Sequence, residues 1–130
     1  MTSTQSLTEQ NRAIVEKMYA AGTSGDVAGL MSYLDENVEI YEPEYLPYGG
    51  VYRGMPDFLE LLGKIGEYMD VTRLTVHYLV ADGDRVIAVL GAPDVKTGQF
   101  NHFAEQSTLR DGKVVEMRLF YYDPQAMIST

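Results

Sequence analysis

The chain has 130 residues, 45% hydrophobic and 22% charged, enough to bury a core in one domain of ordinary size. Its 10 Lys+Arg against 19 Asp+Glu leave a formal charge of −9, which argues against a nucleic-acid backbone or an anionic membrane as main partner, since both need a basic patch. There is no cysteine and there are only two histidines, His77 and His102, so disulfides, thiolate nucleophiles and Cys- or His-rich metal sites are excluded.

The first ten residues, MTSTQSLTEQ, are polar and carry no signal-peptide core, and no apolar run approaches the ~20 residues of a membrane span. The expected compartment is the cytoplasm. Residues 1–5 read as a flexible tail. Ser6 and Glu9 form a capping box, and Leu7, Asn11, Ile14, Val15, Met18, Tyr19 and Gly22 follow at helical spacing, which predicts a helix ending near Gly22. Asp26 can cap a second, shorter helix with the stripe Val27, Leu30, Met31 and Leu34. Val38 to Glu42 suits a short strand that Pro43 stops, and residues 43–54 read as a loop. Pro56 fits a first helical position, with Asp57 and Glu60 near the positive end of the dipole. Phe58, Leu62, Ile65 and Met69 form the stripe of this third helix, which Gly63 and Gly66 weaken by about 1 kcal/mol each.

The pattern then turns to β-type runs. Residues 71–81 and 85–92 are joined by Asp82-Gly83-Asp84, and residues 100–110 and 113–122 by Asp111-Gly112. Helices first and a meander after them predict an α+β fold in a single domain spanning residues 1–130. A curved antiparallel sheet wraps around three N-terminal helices and encloses an apolar pocket, the kind of space that holds small molecules.

Four stretches carry a resemblance. Gly25-Asp26 opens the second helix. Asp35-Glu36-Asn37-Val38-Glu39-Ile40 leads into the strand ending at Glu42-Pro43. Val51-Tyr52-Arg53-Gly54 precedes the third helix. Leu109 to Val115 turns through Asp111-Gly112 into a strand ending in Phe120-Tyr121-Tyr122-Asp123. In order and spacing the chain resembles the nuclear-transport-factor-like superfamily of cone-shaped α+β domains, in its SnoaL-like and ketosteroid-isomerase-like branches. The superfamily hosts enzymes and non-enzymes alike. In ketosteroid isomerase an Asp-Pro at the end of the first strand supplies the general base, and Glu42-Pro43 matches it. That enzyme's second acid precedes the final Gly turn, and Glu105 matches it. Its first-helix tyrosine matches Met18, or Tyr19 one place later. Both acids are Glu where the isomerase has Asp, and the displaced tyrosine favours cyclase chemistry of the SnoaL-like kind over steroid isomerisation.

Two carboxyls in one apolar cavity separate in pKa: desolvation raises both, and the first to ionise makes the second harder. Such a pair can move a proton next to a carbonyl, open an epoxide or close a ring, and requires no metal or organic cofactor. The catalytic candidates are Glu42 as base and Glu105 as acid or polariser. The substrate-binding candidates are Met18, Tyr19, Tyr45 and Tyr48, together with Phe58, Leu62, Phe103, Met117 and Tyr121. No metal site is expected. Each candidate has an ordinary reading as well: Glu42 a solvated strand end, Glu105 an ion pair with Arg118 or Arg110, the methionines core fillers. Tyr41, Tyr45, Tyr48 and Tyr52 crowd the 43–54 loop, where phenols suit a cyclic ligand or cover a seam. By strand parity Glu105 shares a face with Asn101, Phe103, Ser107 and Leu109, while His102 and Arg118 point outward. His77 stands in mid-strand with no local partner. The acidic group Asp35, Glu36, Glu39, Glu42 and Glu44 favours a neutral or cationic ligand.

The expected function is a cofactor-independent acid/base enzyme, an isomerase, cyclase, dehydratase or epoxide-opening enzyme. Its substrate would be a small hydrophobic cyclic or polyketide-like molecule. The alternative is a non-catalytic small-molecule-binding or dimerisation module of the same fold. A homodimer is expected through the sheet face carrying Arg118, Phe120 and Tyr122.

Overall fold

The computed structural model describes residues 4–128, and of Thr4, Gln5 and Ala126 the backbone alone. Helix α1, Thr4–Thr23, buries one stripe made of Asn11, Val15, Met18 and Tyr19. It starts before the expected cap, so Ser6 and Glu9 both lie inside it. Of the expected tail, Thr4 and Gln5 are helical, and residues 1–3 lie outside the described residues. Gly25, at φ 82°, turns the chain after α1. The Asp26 carboxylate then accepts from the Gly29 amide at 2.8 Å and caps α2, Val27–Met31. This single turn has no fully buried residue. Leu34, expected on its stripe, instead opens strand β1, Leu34–Glu42, which is longer than the expected 38–42. The polar run Asp35-Glu36-Asn37 hides its beginning in the sequence, and the pairing register shifts between Leu34 and Glu39.

The 43–54 segment is a loop only in part. Residues 50–53 form strand β2, Gly50–Arg53, antiparallel to β1 with Tyr52 opposite Ile40. Its glycines and prolines read as loop, but the exposed edge of β1 recruits Val51-Tyr52-Arg53 as a partner. Helix α3, Gly54–Gly66, starts two residues before Pro56. The Asp57 carboxylate accepts from the Arg53 amide at 2.9 Å and satisfies that one donor at the helix start. Phe58 and Leu61 are its buried residues, with Leu62 and Ile65 packed beside them, so the stripe centres one position earlier than the spacing predicts. Residues 71–73 make a 3₁₀ turn capped by Asp70 rather than strand. Strands β3, Thr75–Asp82, β4, Arg85–Pro93, β5, Phe100–Arg110, and β6, Lys113–Tyr121, follow, and a short helix α4, Gln125–Ile128, was not expected.

The six strands lie in the order β2-β1-β6-β5-β4-β3. Pairing is antiparallel except between β1 and β6, which run parallel with Ile40 beside Met117. The expected meander therefore describes β3 to β6. The parallel junction arises because β1 meets β6 only after the rest of the chain has gone round, a connection long enough for parallel neighbours. Helix α1 packs toward β3 and β4, and α3 toward β1 and β2. The core is the layer between these helices and one face of the sheet. Among the described residues, no helix is long and apolar enough to cross a membrane.

Helix α1 is tied to the β3–β4 turn from both sides of one residue. Thr8 Oγ1 accepts from the Gly83 amide at 2.8 Å, and Asn11 Nδ2 donates to the Gly83 carbonyl at 2.9 Å. Gly83 sits at φ 62°, where a side chain would be strained. In contrast, the Ser107 hydroxyl is buried on the inner face of β5 without a hydrogen-bond partner among the described residues. Asn11→Ala is expected to lower stability by about 1 kcal/mol, because it removes the donor from the part-buried Gly83 carbonyl. Ser107→Ala is expected to leave stability unchanged or raise it. Differential scanning calorimetry of the two variants checks both signs.

Candidate active site

Strand alternation delivers the two glutamates to the same side of the sheet. On β1, Val38, Ile40 and Glu42 point to the core; on β5, Phe103, Glu105, Ser107 and Leu109 do. The register then aligns them. Tyr41 pairs with Arg118, so Glu42 stands level with Leu119, and Leu119 is the partner of Glu105. Glu42, Leu119 and Glu105 therefore form one row across β1, β6 and β5, the acids two strand spacings apart, about 10 Å between backbones. Each side chain can close part of that gap over the buried Leu119.

Each acid has a phenol. The Tyr19 hydroxyl, on α1, donates to Glu105 Oε1 at 2.5 Å. The Tyr121 hydroxyl, two residues beyond Leu119 on β6, lies 3.2 Å from Glu42 Oε1 and 2.9 Å from the Tyr48 hydroxyl. Tyr48 is held in place by Tyr52, whose hydroxyl donates to the Tyr48 carbonyl at 2.9 Å. Phe103 stacks on Tyr121 with ring centroids 5.3 Å apart.

Burial dominates the electrostatics. Glu42 is 5% exposed, and desolvation, reinforced by the charge of Glu105 and partly offset by Tyr121, pushes its carboxyl up to about 8. Desolvation also raises Glu105, to about 7, with the Tyr19 hydrogen bond pulling the other way. Glu105 is half-buried by accessible surface, and desolvation is the largest influence on its carboxyl. Burial raises the three phenols Tyr19, Tyr48 and Tyr121, which stay protonated and able to donate.

The other expected residues divide. Met18, Phe58, Phe103 and Met117 are buried in the core, and Leu62 packs against it. Tyr45 is 56% exposed and stands apart from this cluster, because the loop coils through the Leu46-to-Pro43 and Gly49-to-Leu46 amide–carbonyl bonds and turns Leu46 and Tyr48 inward instead. The Glu105 ion pair with Arg118 or Arg110 does not form. Arg118 lies on the outer face over the Tyr41 ring, 4.2 Å from its centroid, and 3.8 Å from Glu116. His102 points outward as its parity predicts. His77 falls where the β3–β4 register shifts, and its ring meets His102 there at 5.5 Å. Among the described residues no group of three or more His, Asp or Glu is gathered as a metal site. Of the surface hollows, one of about 420 Å³ lies beside Asp70 and Asp94 and one of about 470 Å³ along Val89, His102 and Phe120; neither of these is lined by Glu42 or Glu105. The second lies on the outer face of the sheet, across the strands from both acids. Met127, which contacts Tyr48, was missed: one methionine in a short terminal stretch leaves no periodic signal.

The comparisons agree with this architecture. A family model described as the SnoaL-like domain matches residues 15–117. Uncharacterised proteins of Mycobacterium tuberculosis and Mycobacterium bovis are 28% identical over 117 residues, covering 87% of this chain and 89% of theirs. An NTF2-like protein from Burkholderia xenovorans LB400 is 28% identical, covers 98% of this chain and 96% of its own, and superposes with a TM-score of 0.74. TerC, co-crystallised with polyporic acid, is 25% identical with a TM-score of 0.79, over 93% of this chain and 99% of its own. The resemblance carried by the four sequence stretches and the six-stranded curved sheet lead to the same place: the chain belongs to the SnoaL-like domain family.

Proposed function

We propose that the chain is an acid/base enzyme of the isomerase, cyclase, dehydratase or epoxide-opening kind, acting on a small hydrophobic cyclic or polyketide-like molecule in the cytoplasm. The observation that carries this reading is the row of two desolvated carboxyls, each bonded to a tyrosine, with the charge of one felt by the other. TerC, held with polyporic acid, supports a small organic ligand for this fold. The acidic residues around the 43–49 loop favour a neutral or cationic one.

The hydrogen bonds favour a division of labour opposite to the one the isomerase resemblance implies. Tyr19 donates a short bond to Glu105 and stabilises its carboxylate. Glu42 is the more deeply buried and has only the longer Tyr121 contact. Glu105 then acts as base, taking a proton beside a carbonyl or from water, and Glu42 delivers a proton to the oxygen that gains charge.

A homodimer belongs to the same reading. Tyr78, Val80, Phe120 and Tyr122 are 57%, 50%, 51% and 87% exposed, an apolar band on the outer face of the sheet and just past its end. The band would equally serve a non-catalytic binding or dimerisation module, and turnover separates the two.

On a panel of neutral cyclic ketones and epoxides, the reading expects turnover that rises with pH through about 7 and falls above about 8. Glu42→Gln and Glu105→Gln should each reduce it by about 100-fold or more while still binding. Ligand-induced thermal shifts without turnover in the wild type would leave a binding module.

The same carboxyls set a pH dependence of stability. Each binds its proton more tightly in the folded than in the unfolded chain. Their contribution is complete below the ordinary value of 4.5 and is lost as pH climbs through about 7 and 8. The melting temperature should therefore fall by several degrees between pH 5 and pH 8.5. Glu42→Gln should flatten that decline, as thermal melts across this range will show. For the dimer, Phe120→Glu should shift the mass measured by light scattering from two copies to one.

A further inference from the structure

After β6 the chain leaves the sheet. Tyr122 is 87% exposed, and Asp123 and Gln125 are exposed as well. The segment then coils back: the Asp123 carboxylate accepts from the Gln125 amide at 3.2 Å, and the Met127 amide donates to the Pro124 carbonyl at 2.9 Å. Among the described side chains of this strap, Met127 returns to the core, 2% exposed between exposed Gln125 and Ile128. Its thioether accepts from the Tyr48 hydroxyl at 3.3 Å. Tyr48 continues to Tyr121 at 2.9 Å, and Tyr121 to Glu42 at 3.2 Å. The family match ends at residue 117, so both Tyr121 and Met127 lie beyond it.

We propose that the C-terminal strap is a working part of this site: Met127 seals the Glu42 end of the interior and, as last acceptor of the hydroxyl chain, holds the proton of Glu42 in place. The count of hydrogens supports this. Between Glu42, Tyr121, Tyr48 and Met127 there are three links. With Glu42 ionised, two hydroxyl hydrogens run Tyr48 to Tyr121 to Glu42. With Glu42 protonated, three hydrogens run Glu42 to Tyr121 to Tyr48 to the sulfur, which donates nothing and can only accept. A terminal acceptor lets the chain run outward from protonated Glu42, with each hydroxyl donating to the next. The sulfur is weak in that role but polarizable, and it excludes water from the same spot. The groups that face Glu42 are Tyr121 from β6, Tyr48 from the 43–49 loop behind it, and the charge of Glu105 from β5. Met127 is thus a positioning residue, acting through the two phenols. Its functional meaning rests on Glu42 as the acid of the pair, whereas its test does not.

The test follows the Glu42 and Glu105 carboxyls by carbon NMR titration in the wild type, Met127→Leu and Met127→Ala. Leucine keeps the volume and removes the acceptor; alanine removes both and admits water. The proton affinity of Glu42 is expected to fall about two- to threefold in Met127→Leu and at least tenfold in Met127→Ala. Glu105, bonded to Tyr19, should change less than twofold in either. A lower melting temperature with Glu42 titrating as in the wild type would overturn the proposal and leave Met127 as packing alone. Should the alanine variant not fold, an unchanged Glu42 in Met127→Leu overturns it equally. Because the readout is a carboxyl titration and not turnover, loss of the catalytic reading leaves this result standing, and the reverse also holds.

Discussion

The desolvation of two carboxyls on one row of a sheet is the constraint around which this molecule is arranged. A buried carboxyl is tolerated only where it keeps its proton or finds donors. Glu42 and Glu105 do both, and their donors come from outside their own strands. Tyr19 is brought by α1, Tyr121 by β6 and Tyr48 by the loop after β1. Helix, sheet and loop are therefore coupled through hydroxyl groups as well as through packing. The placement of α1 matters to the chemistry as much as to the core, since the helix that buries Val15 and Met18 also presents Tyr19.

The two acids are alike in residue type and differ in surroundings. A short bond from one phenol favours charge on Glu105; depth, and the neighbouring charge, favour a proton on Glu42. One face of one sheet thus sustains opposite tendencies at about 10 Å. That is the general way in which acid and base roles are separated without different side chains. Opposite this face, the outer side of the sheet follows other rules. There Arg118 lies over Tyr41 and Arg53 bonds Glu39 at 2.7 Å, ion and ring contacts in solvent that organise a surface.

Much of this was legible in the residues. Two-residue alternation put Glu105 with Phe103 and Ser107 and turned Arg118 outward, and Pro43 marked the end of β1 at Glu42. The elements that were misread share a cause: their structure is decided by a distant partner. Strand β2 has the composition of a loop and exists because β1 offers an edge. The start of β1 is polar and is held by β6, with Leu34 beside Val114. Leu61 displaces Leu62 at the centre of α3 because its buried face is the one that meets β1 and β2. Tyr45 and Tyr48 are equivalent in composition, and the coil of their loop sends one out and one in. Ion pairing for Glu105 was plausible from charge alone; register placed both arginines elsewhere.

The parallel junction between β1 and β6 also governs the order in which the molecule can assemble. The β3–β4 and β5–β6 hairpins close over short turns, whereas Glu39 meets Glu116 only after most of the intervening chain has been gathered in. Loop-closure entropy makes such a distant pairing costlier to form than either hairpin. Glu42 arrives with β1. The charge of Glu105 can therefore act on the Glu42 carboxyl only once this longest-range pairing is made.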